Sequence, residues 1–159
     1  VLEATETSVD QPLLSPFEVC LTNTSLSVRQ ALNDVLEALC PLGLDVEECA
    51  TIELVLAEVL NNVVEHAYEE SQHDAIIRVM GEQRPNGLHL RVVDLGRQVS
   101  EEAQLFRSAP DVDCAISDLP EGGFGWFLIR DLAKDVKYQR RGEENHLTLR
   151  LAIATDKVN

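Results

Sequence analysis

Three short stretches carry residues able to do chemistry. In "AEVLNNVVEHAYEE", Ala57 to Glu70, the carboxylate of Glu58, the amide of Asn62 and the imidazole of His66 fall four residues apart. Such groups accept, donate or exchange protons, and a line of them is also what the solvated flank of a helix looks like. In "VVDLG", Val92 to Gly96, a run of branched apolar residues ends in an acid followed two residues later by glycine. A carboxylate at the end of a buried strand is placed to accept from an amine such as adenine carries, and Gly96 would let the backbone pass close to a ring. Ending a strand with Asp and turning at Gly is the plain structural alternative. In "EGGFGWFLI", Glu121 to Ile129, the glycines Gly122, Gly123 and Gly125 open a helix. Unobstructed N–H groups at the positive end of a helix suit an anion, whereas glycines that only hinge the preceding loop would read the same. The stretch is neither a strand-linked GxGxxG nor a GxxxxGK[ST] loop.

The elements that must position these residues follow from periodicity. "FEVCLTN" alternates as a strand, and Ser25 or Ser27 could cap a helix running to Cys40, where "PLGL" breaks it. A longer helix begins near Val46 and carries Ile52, Val55, Leu56, Val59, Leu60, Val63, Val64 and Ala67 at the spacing of a core-facing stripe. With Ile52 at zero, that stripe centres near about 20°, and Glu58, Asn62 and His66 fall at about 240°, 280° and 320°, along one margin of the buried face. "AIIRVMGEQ" and "LHLRVVDLG" alternate as two strands about the turn "RPNG". Residues 97–121 form a long polar connection, a length that is often functional. "GGFGWFLIRDLAKDV" becomes a helix, and "KYQRR" and "HLTLRLAIA" close the chain as strands with "GEEN" at their turn. Residues 1–16 read as a flexible arm and 17–159 as one domain. Hairpin-linked strands with helices grouped between them predict an α+β, two-layer α/β sandwich: a mixed, mostly antiparallel sheet covered on one face by helices.

Composition sets outer limits. The 159 residues suffice for one domain with a sizeable core. Apolar residues make up 45% and charged residues 26%, and no apolar run is long enough to span a membrane, so the expectation is a soluble, cytoplasmic protein without a signal sequence. Cys20, Cys40, Cys49 and Cys114 show no CxxC pattern and predict reduced, mostly buried thiols rather than a zinc site. A net charge of -15 argues against direct nucleic-acid binding. It leaves room for a nucleotide, because backbone amides and one divalent cation can hold a triphosphate inside an acidic protein.

Together the three stretches, in this order and spacing, resemble the Bergerat ATP-binding fold of the GHKL superfamily, and most closely the bacterial anti-sigma-factor serine/threonine-protein kinases. The family's E-x-x-x-N-x-x-x-H-A-Y box is filled by Glu58, Asn62, His66, Ala67 and Tyr68. Its later glycine box is filled by Gly122, Gly123, Gly125, Leu128, Ile129, Leu132, Asp135 and Val136, and "NHLTLRL" looks like the family's last strand. The likeness covers about residues 17–153.

The resemblance implies ATP and Mg2+ as cofactors. Asn62 would supply an oxygen to the metal, Asp94 would hold the adenine amine and Gly96 would make room for the base. Gly122, Gly123 and Gly125 would cradle phosphates and hinge a lid over residues 97–121, and Glu58 would be the general base. His66 would either approach a phosphate or pack as a core-edge histidine. Arg97 and Arg107 fall in the lid, where an arginine either meets the terminal phosphate or stays at the surface. The threonine that the family often carries near its last strands corresponds to Asn145 or Thr148, depending on register. The implied activity is ATP-dependent phosphorylation of a STAS-domain anti-anti-sigma factor by a homodimeric kinase that also binds a sigma factor. The alternative is a non-catalytic ATP-binding module that sequesters its partner.

Overall fold

The computed structural model describes residues 14–68, 74–98 and 123–154. Five strands, β1 (Phe17–Thr22), β2 (Ile76–Arg84), β3 (Gly87–Asp94), β4 (Lys134–Arg141) and β5 (Glu144–Leu151), form one sheet in the order β1-β2-β3-β5-β4. Every pairing in it is antiparallel, so the sheet is not mixed among the described residues. The helices α1 (Ser25–Ala38), α2 (Val46–His66) and α3 (Gly123–Leu132) accompany it, with a short 3-10 turn at Cys40–Leu42.

Local chemistry accounts for the helix starts. Thr24, one residue before Ser25 and three before Ser27, the expected caps of α1, is its N-cap, and its hydroxyl accepts from Ser27 N at 3.2 Å. At α2, Asp45 accepts from Glu48 N at 2.8 Å while Glu48 accepts from Asp45 N at 2.9 Å, a capping box that fixes the first turn. From there Ile52, Val55, Leu56, Val59 and Leu60 run buried along one face of α2. They belong to one core with Ile77, Val79, Leu88, Leu90, Val92, Leu147, Leu149 and Leu151, which alternate along the strands. Burial of that interlocked stripe fixes the axial rotation of α2, and so decides where Glu58 and Asn62 point.

Several boundaries differ from the sequence reading. Leu14, assigned to the arm, is buried in the core, and its N–H donates to Gln83 Oε1 at 3.1 Å. The helix through "GGFGWFLIRDLAKDV" stops at Leu132, and β4 already starts at Lys134, with Asp135 in a left-handed conformation (φ 52°) and an irregular register between Lys134 and Lys137. "GEEN" is not all turn: Glu144 and Asn145 belong to β5. The thiols also differ, since Cys20 and Cys40 are exposed and Cys49 is half-buried, all three free. Cys20 lies on the strand face pointing away from the core, because Val19 and Leu21 take the inward positions. Cys114, Arg107, Gly122 and nearly all of the expected lid lie outside the described residues. No described helix is long and apolar enough to cross a membrane.

Candidate functional site

Glu58 and Asn62 sit one turn apart on the margin of the buried face of α2, both half-buried. Against them lies the start of α3. A Cβ placed on Gly125 would stand 2.6 Å from Glu58 Oε2 and 3.5 Å from Asn62 Nδ2, so only glycine lets the two helices meet here without displacing the carboxylate. Among the described residues, Asn62 Nδ2 is buried with no hydrogen-bond partner. A buried, unsatisfied amide is costly and invites a polar ligand. Gly125 of the glycine stretch therefore lies against Glu58 and Asn62. Gly123 is the first residue of α3.

A second group forms at the end of β3. Asp94 is 5% exposed. Its Oδ1 accepts from Gly96 N at 2.8 Å and from Asn145 Nδ2 at 2.8 Å. Among the described residues no donor reaches its Oδ2. Burial pushes the Asp94 carboxyl above the usual carboxylate range, against the pull of those two hydrogen bonds and of the charges on Arg140 and His146. The end of α2 anchors the backbone that follows. Tyr68 Oη accepts from Leu95 N at 2.8 Å, and Ala67 O accepts from Arg97 N at 2.6 Å. Burial likewise raises the Tyr68 hydroxyl's proton affinity, which keeps it a neutral phenol.

A side chain on Gly96 would collide with the carbonyl oxygen of Ala67, so the glycine lets the loop cross the end of α2. His66 departs from one of its two expected placements: its side chain is 65% exposed and its Nε2 lies 3.6 Å from Glu65 Oε2, so it does not pack at the core edge.

The residue that sequence reading left unassigned is Asn145, which is 1% exposed. Strand pairing puts it opposite Asp94 on one side and Arg140 on the other. Its Nδ2 donates to Asp94 Oδ1 and, at 3.1 Å each, to the carbonyls of Gly96 and Arg97, while its Oδ1 accepts from Tyr138 Oη and Arg140 Nη1 at 2.8 Å each. Thr148, the other candidate, falls on the opposite strand face, since Asn145, Leu147, Leu149 and Leu151 are the buried positions of β5. There it borders a depression of about 680 Å³ that contains none of the predicted site residues. The alternation "NHLTLRL" carried the signal for the face of Asn145, provided that β5 was started at Glu144.

One antiparallel sheet with its helices, carrying an acid and an amide on α2 beside a glycine-started helix and a buried acid at a strand end, defines a Bergerat-type α+β sandwich. The chain belongs to the histidine kinase-like ATPase domain family, whose pattern matches residues 21–151. It is similar to the serine/threonine-protein kinase BtrW of Bordetella bronchiseptica, with 33% identity over 99 residues, 62% of this chain and 67% of that protein. It is also similar to the serine-protein kinase RsbW of Staphylococcus aureus (strain Newman), with 30% identity over 95 residues, 59% of this chain and 60% of that one. Among solved structures, the RsbU and RsbW domains of Rv1364c from Mycobacterium tuberculosis superpose with a TM-score of 0.61 at 18% identity, over 87% of this chain and 32% of that one. The histidine kinase domain from the Erythrobacter litoralis EL346 blue-light activated histidine kinase gives 0.51 at 16%, over 80% and 60%. At those identities the two structures speak for the fold alone.

Proposed function

We propose that this chain is an ATP-dependent serine/threonine-protein kinase that acts in the cytoplasm as an anti-sigma-factor regulator, as a homodimer that phosphorylates a STAS-domain antagonist and binds a sigma factor. The observation that carries the reading is the joint placement of Glu58, Asn62 and Gly125, with Asn62 Nδ2 buried and, among the described residues, unpartnered. Family membership and the kinase-named relatives support it at the level of the class.

The residues fit a magnesium nucleotide. The partner-free oxygen of Asp94 would accept from the exocyclic amine of adenine, a donor that a buried carboxylate is well placed to receive. The amide oxygen of Asn62 would serve as a ligand to Mg2+, a hard cation that prefers oxygen. Gly123 and Gly125 leave backbone N–H groups at the positive end of α3 open to phosphate oxygens. His66, exposed one turn beyond Asn62, would offer a ring N–H to the same end of the ligand. The bound metal would supply neutralisation of the phosphate charge. Glu58 would take the proton from a serine hydroxyl of the partner as that oxygen attacks the terminal phosphorus in line, the ADP oxygen leaving opposite.

The test is transfer of labelled γ-phosphate to purified STAS-domain proteins. Glu58→Ala should abolish labelling, with Mg-ATP binding within about twofold of wild type, as expected when a group acts on the transition state and not on the bound nucleotide. A wild-type protein that binds Mg-ATP yet labels no STAS protein would sink the kinase reading and leave the sequestering module.

A further inference from the structure

Strand alternation turns Glu18, Met80, Arg91, Thr148 and Lys137 away from the core, onto the sheet face opposite the buried side chains. Pairing sets them in one line across all five strands: Glu18 opposite Met80, Met80 opposite Arg91, Arg91 opposite Thr148, and Thr148 opposite Lys137. All five border the same depression of about 680 Å³. The line is graded, with two cations flanking a hydroxyl toward β4, a thioether in the middle and a carboxylate on β1.

Three other arginines of this face have counter-ions. Arg78 Nη2 lies 3.1 Å from Glu144 Oε1, Arg84 Nη2 2.9 Å from Glu82 Oε2, and Arg150 Nε 2.8 Å from Asp135 Oδ2. Among the described residues the side chains of Arg91 and Lys137 make no hydrogen bond or ion pair; Lys137 only feels the charge of Asp135, which Arg150 already engages. Neighbouring strands lie about 4.8 Å apart, so the two cations are rooted about 10 Å from each other, close enough to repel. A lone surface arginine is ordinarily just solvated. In a chain with 28 acidic residues against 13 basic ones, however, two neighbouring cations left without an acid call for a charge from outside.

The hollow is far larger than one oxyanion, and Met80, Phe17 and Pro16 give it an apolar wall. A second copy packed face to face would set Arg78, Arg84, Arg91, Lys137, Arg141 and Arg150 against their own images, with fewer acids to offset them. A long nucleic acid would meet the field of a chain of net charge -15. A short acidic stretch meets the local cations alone.

We propose that this face docks an acidic segment of a partner protein, which lies across the strands with carboxylates over Arg91, Thr148 and Lys137 and an apolar side chain on Met80, its acids kept clear of Glu18. The site is separate from the Asp94 group. Arg91 precedes Asp94 by three residues, about 10 Å along β3, and projects from the opposite face, so the inference does not rest on the nucleotide reading.

A capped peptide of three glutamates, a glycine and a leucine is the probe, titrated into the 15N-labelled protein, with its lysine counterpart and inorganic phosphate as controls. The backbone amide signals of Met80, Arg91, Lys137 and Thr148 should shift with the glutamate peptide while those of Asp94 to Gly96 hold still. Non-specific attraction to so acidic a chain would favour the lysine peptide instead. Joint Arg91→Gln and Lys137→Gln should weaken the glutamate peptide about tenfold at low salt and remove most of its salt dependence. Both side chains are exposed, so the melting temperature should stay that of wild type. Glu18→Gln should tighten the same peptide about twofold. No shift on this face, or equal affinity in the double variant, would overturn the proposal. Phosphate that reproduces the peptide's affinity and shifts would reduce the site to an oxyanion seat and overturn the protein occupant. So would a double variant that, sedimented alone, differs from wild type in oligomeric state, since the face would then belong to a second copy.

Discussion

Burial and hydrogen bonding act on Asp94 in opposite directions, and burial prevails. Its carboxyl binds a proton more tightly in the folded chain than in the unfolded one. The stability this contributes is therefore complete at pH values below the ordinary carboxylate range, and is lost as pH rises through the raised folded value. Accepting an amine demands the ionised form, so ligand binding should change with pH in the opposite sense. Asp94→Asn is expected to be at least as stable as wild type at neutral pH in denaturant titrations, with that advantage shrinking as pH falls through the raised Asp94 value. It should bind Mg-ATP about a hundredfold more weakly, because an amide NH2 then meets the adenine amine. Gly125 separates stability from activity in a second way. The atom that a new methyl would strike, Glu58 Oε2, is the end of a flexible side chain and can move. Alanine also favours a helix over glycine by about 1 kcal/mol. Gly125→Ala should therefore unfold at an equal or higher denaturant concentration, while kcat for phosphoryl transfer drops about tenfold to a hundredfold, as for a misplaced catalytic group. KM for ATP should change less.

The element that gathers the site is α2, and its course was legible because every signal for it is local. Asp45 and Glu48 mark its start, the stripe from Ile52 to Leu60 marks its buried side, and Glu58 and Asn62 follow from that rotation. The β4–β5 hairpin was less legible. A left-handed Asp135 and an early return into β5 after Gly142 leave no period in the sequence, and so Asn145 was read as turn. Its partners come from two separate segments, which no one-dimensional pattern brings together. Gly96 shows a different limit: the neighbour that demands a glycine there, Ala67, lies far off in the chain, and no local pattern announces that contact. The same contact shows how α2 reaches the other strand end, through Tyr68 to Leu95 and Ala67 to Arg97. Tyr68→Phe removes the acceptor for Leu95 N–H without opening a cavity. It should cost about 1–2 kcal/mol of stability and speed hydrogen exchange at Leu95. Mg-ATP binding should weaken severalfold, since the backbone beside Asp94 is no longer tied to the helix that carries Asn62.

For the molecule as a whole, α2 packs against α1, α3 and β3, so the residues proposed to touch ligand at its margin belong to the same cooperative unit as the core. The chain carries a net charge of -15, and a ligand adding further negative charge must be held by amides, a cation and specific donors rather than by the general field. Mg-ATP binding should therefore depend only weakly on monovalent salt, whereas docking of a charged partner protein should depend on it strongly. Binding to the native chain alone shifts its unfolding: nucleotide at a hundred times its dissociation constant stabilises by about 2.7 kcal/mol. For a domain of this length that is roughly a 5–10 °C rise in melting temperature. The expected result is that rise with Mg-ATP and none in Asp94→Asn at the same concentration. Omitting Mg2+ should shrink the rise in wild type, because Asn62 then has no cation to ligate. In Asn62→Ala, adding Mg2+ should make little difference to whatever rise ATP alone produces. An equal rise with and without the metal in the wild-type protein would remove Asn62 from the nucleotide site while leaving Asp94 in it.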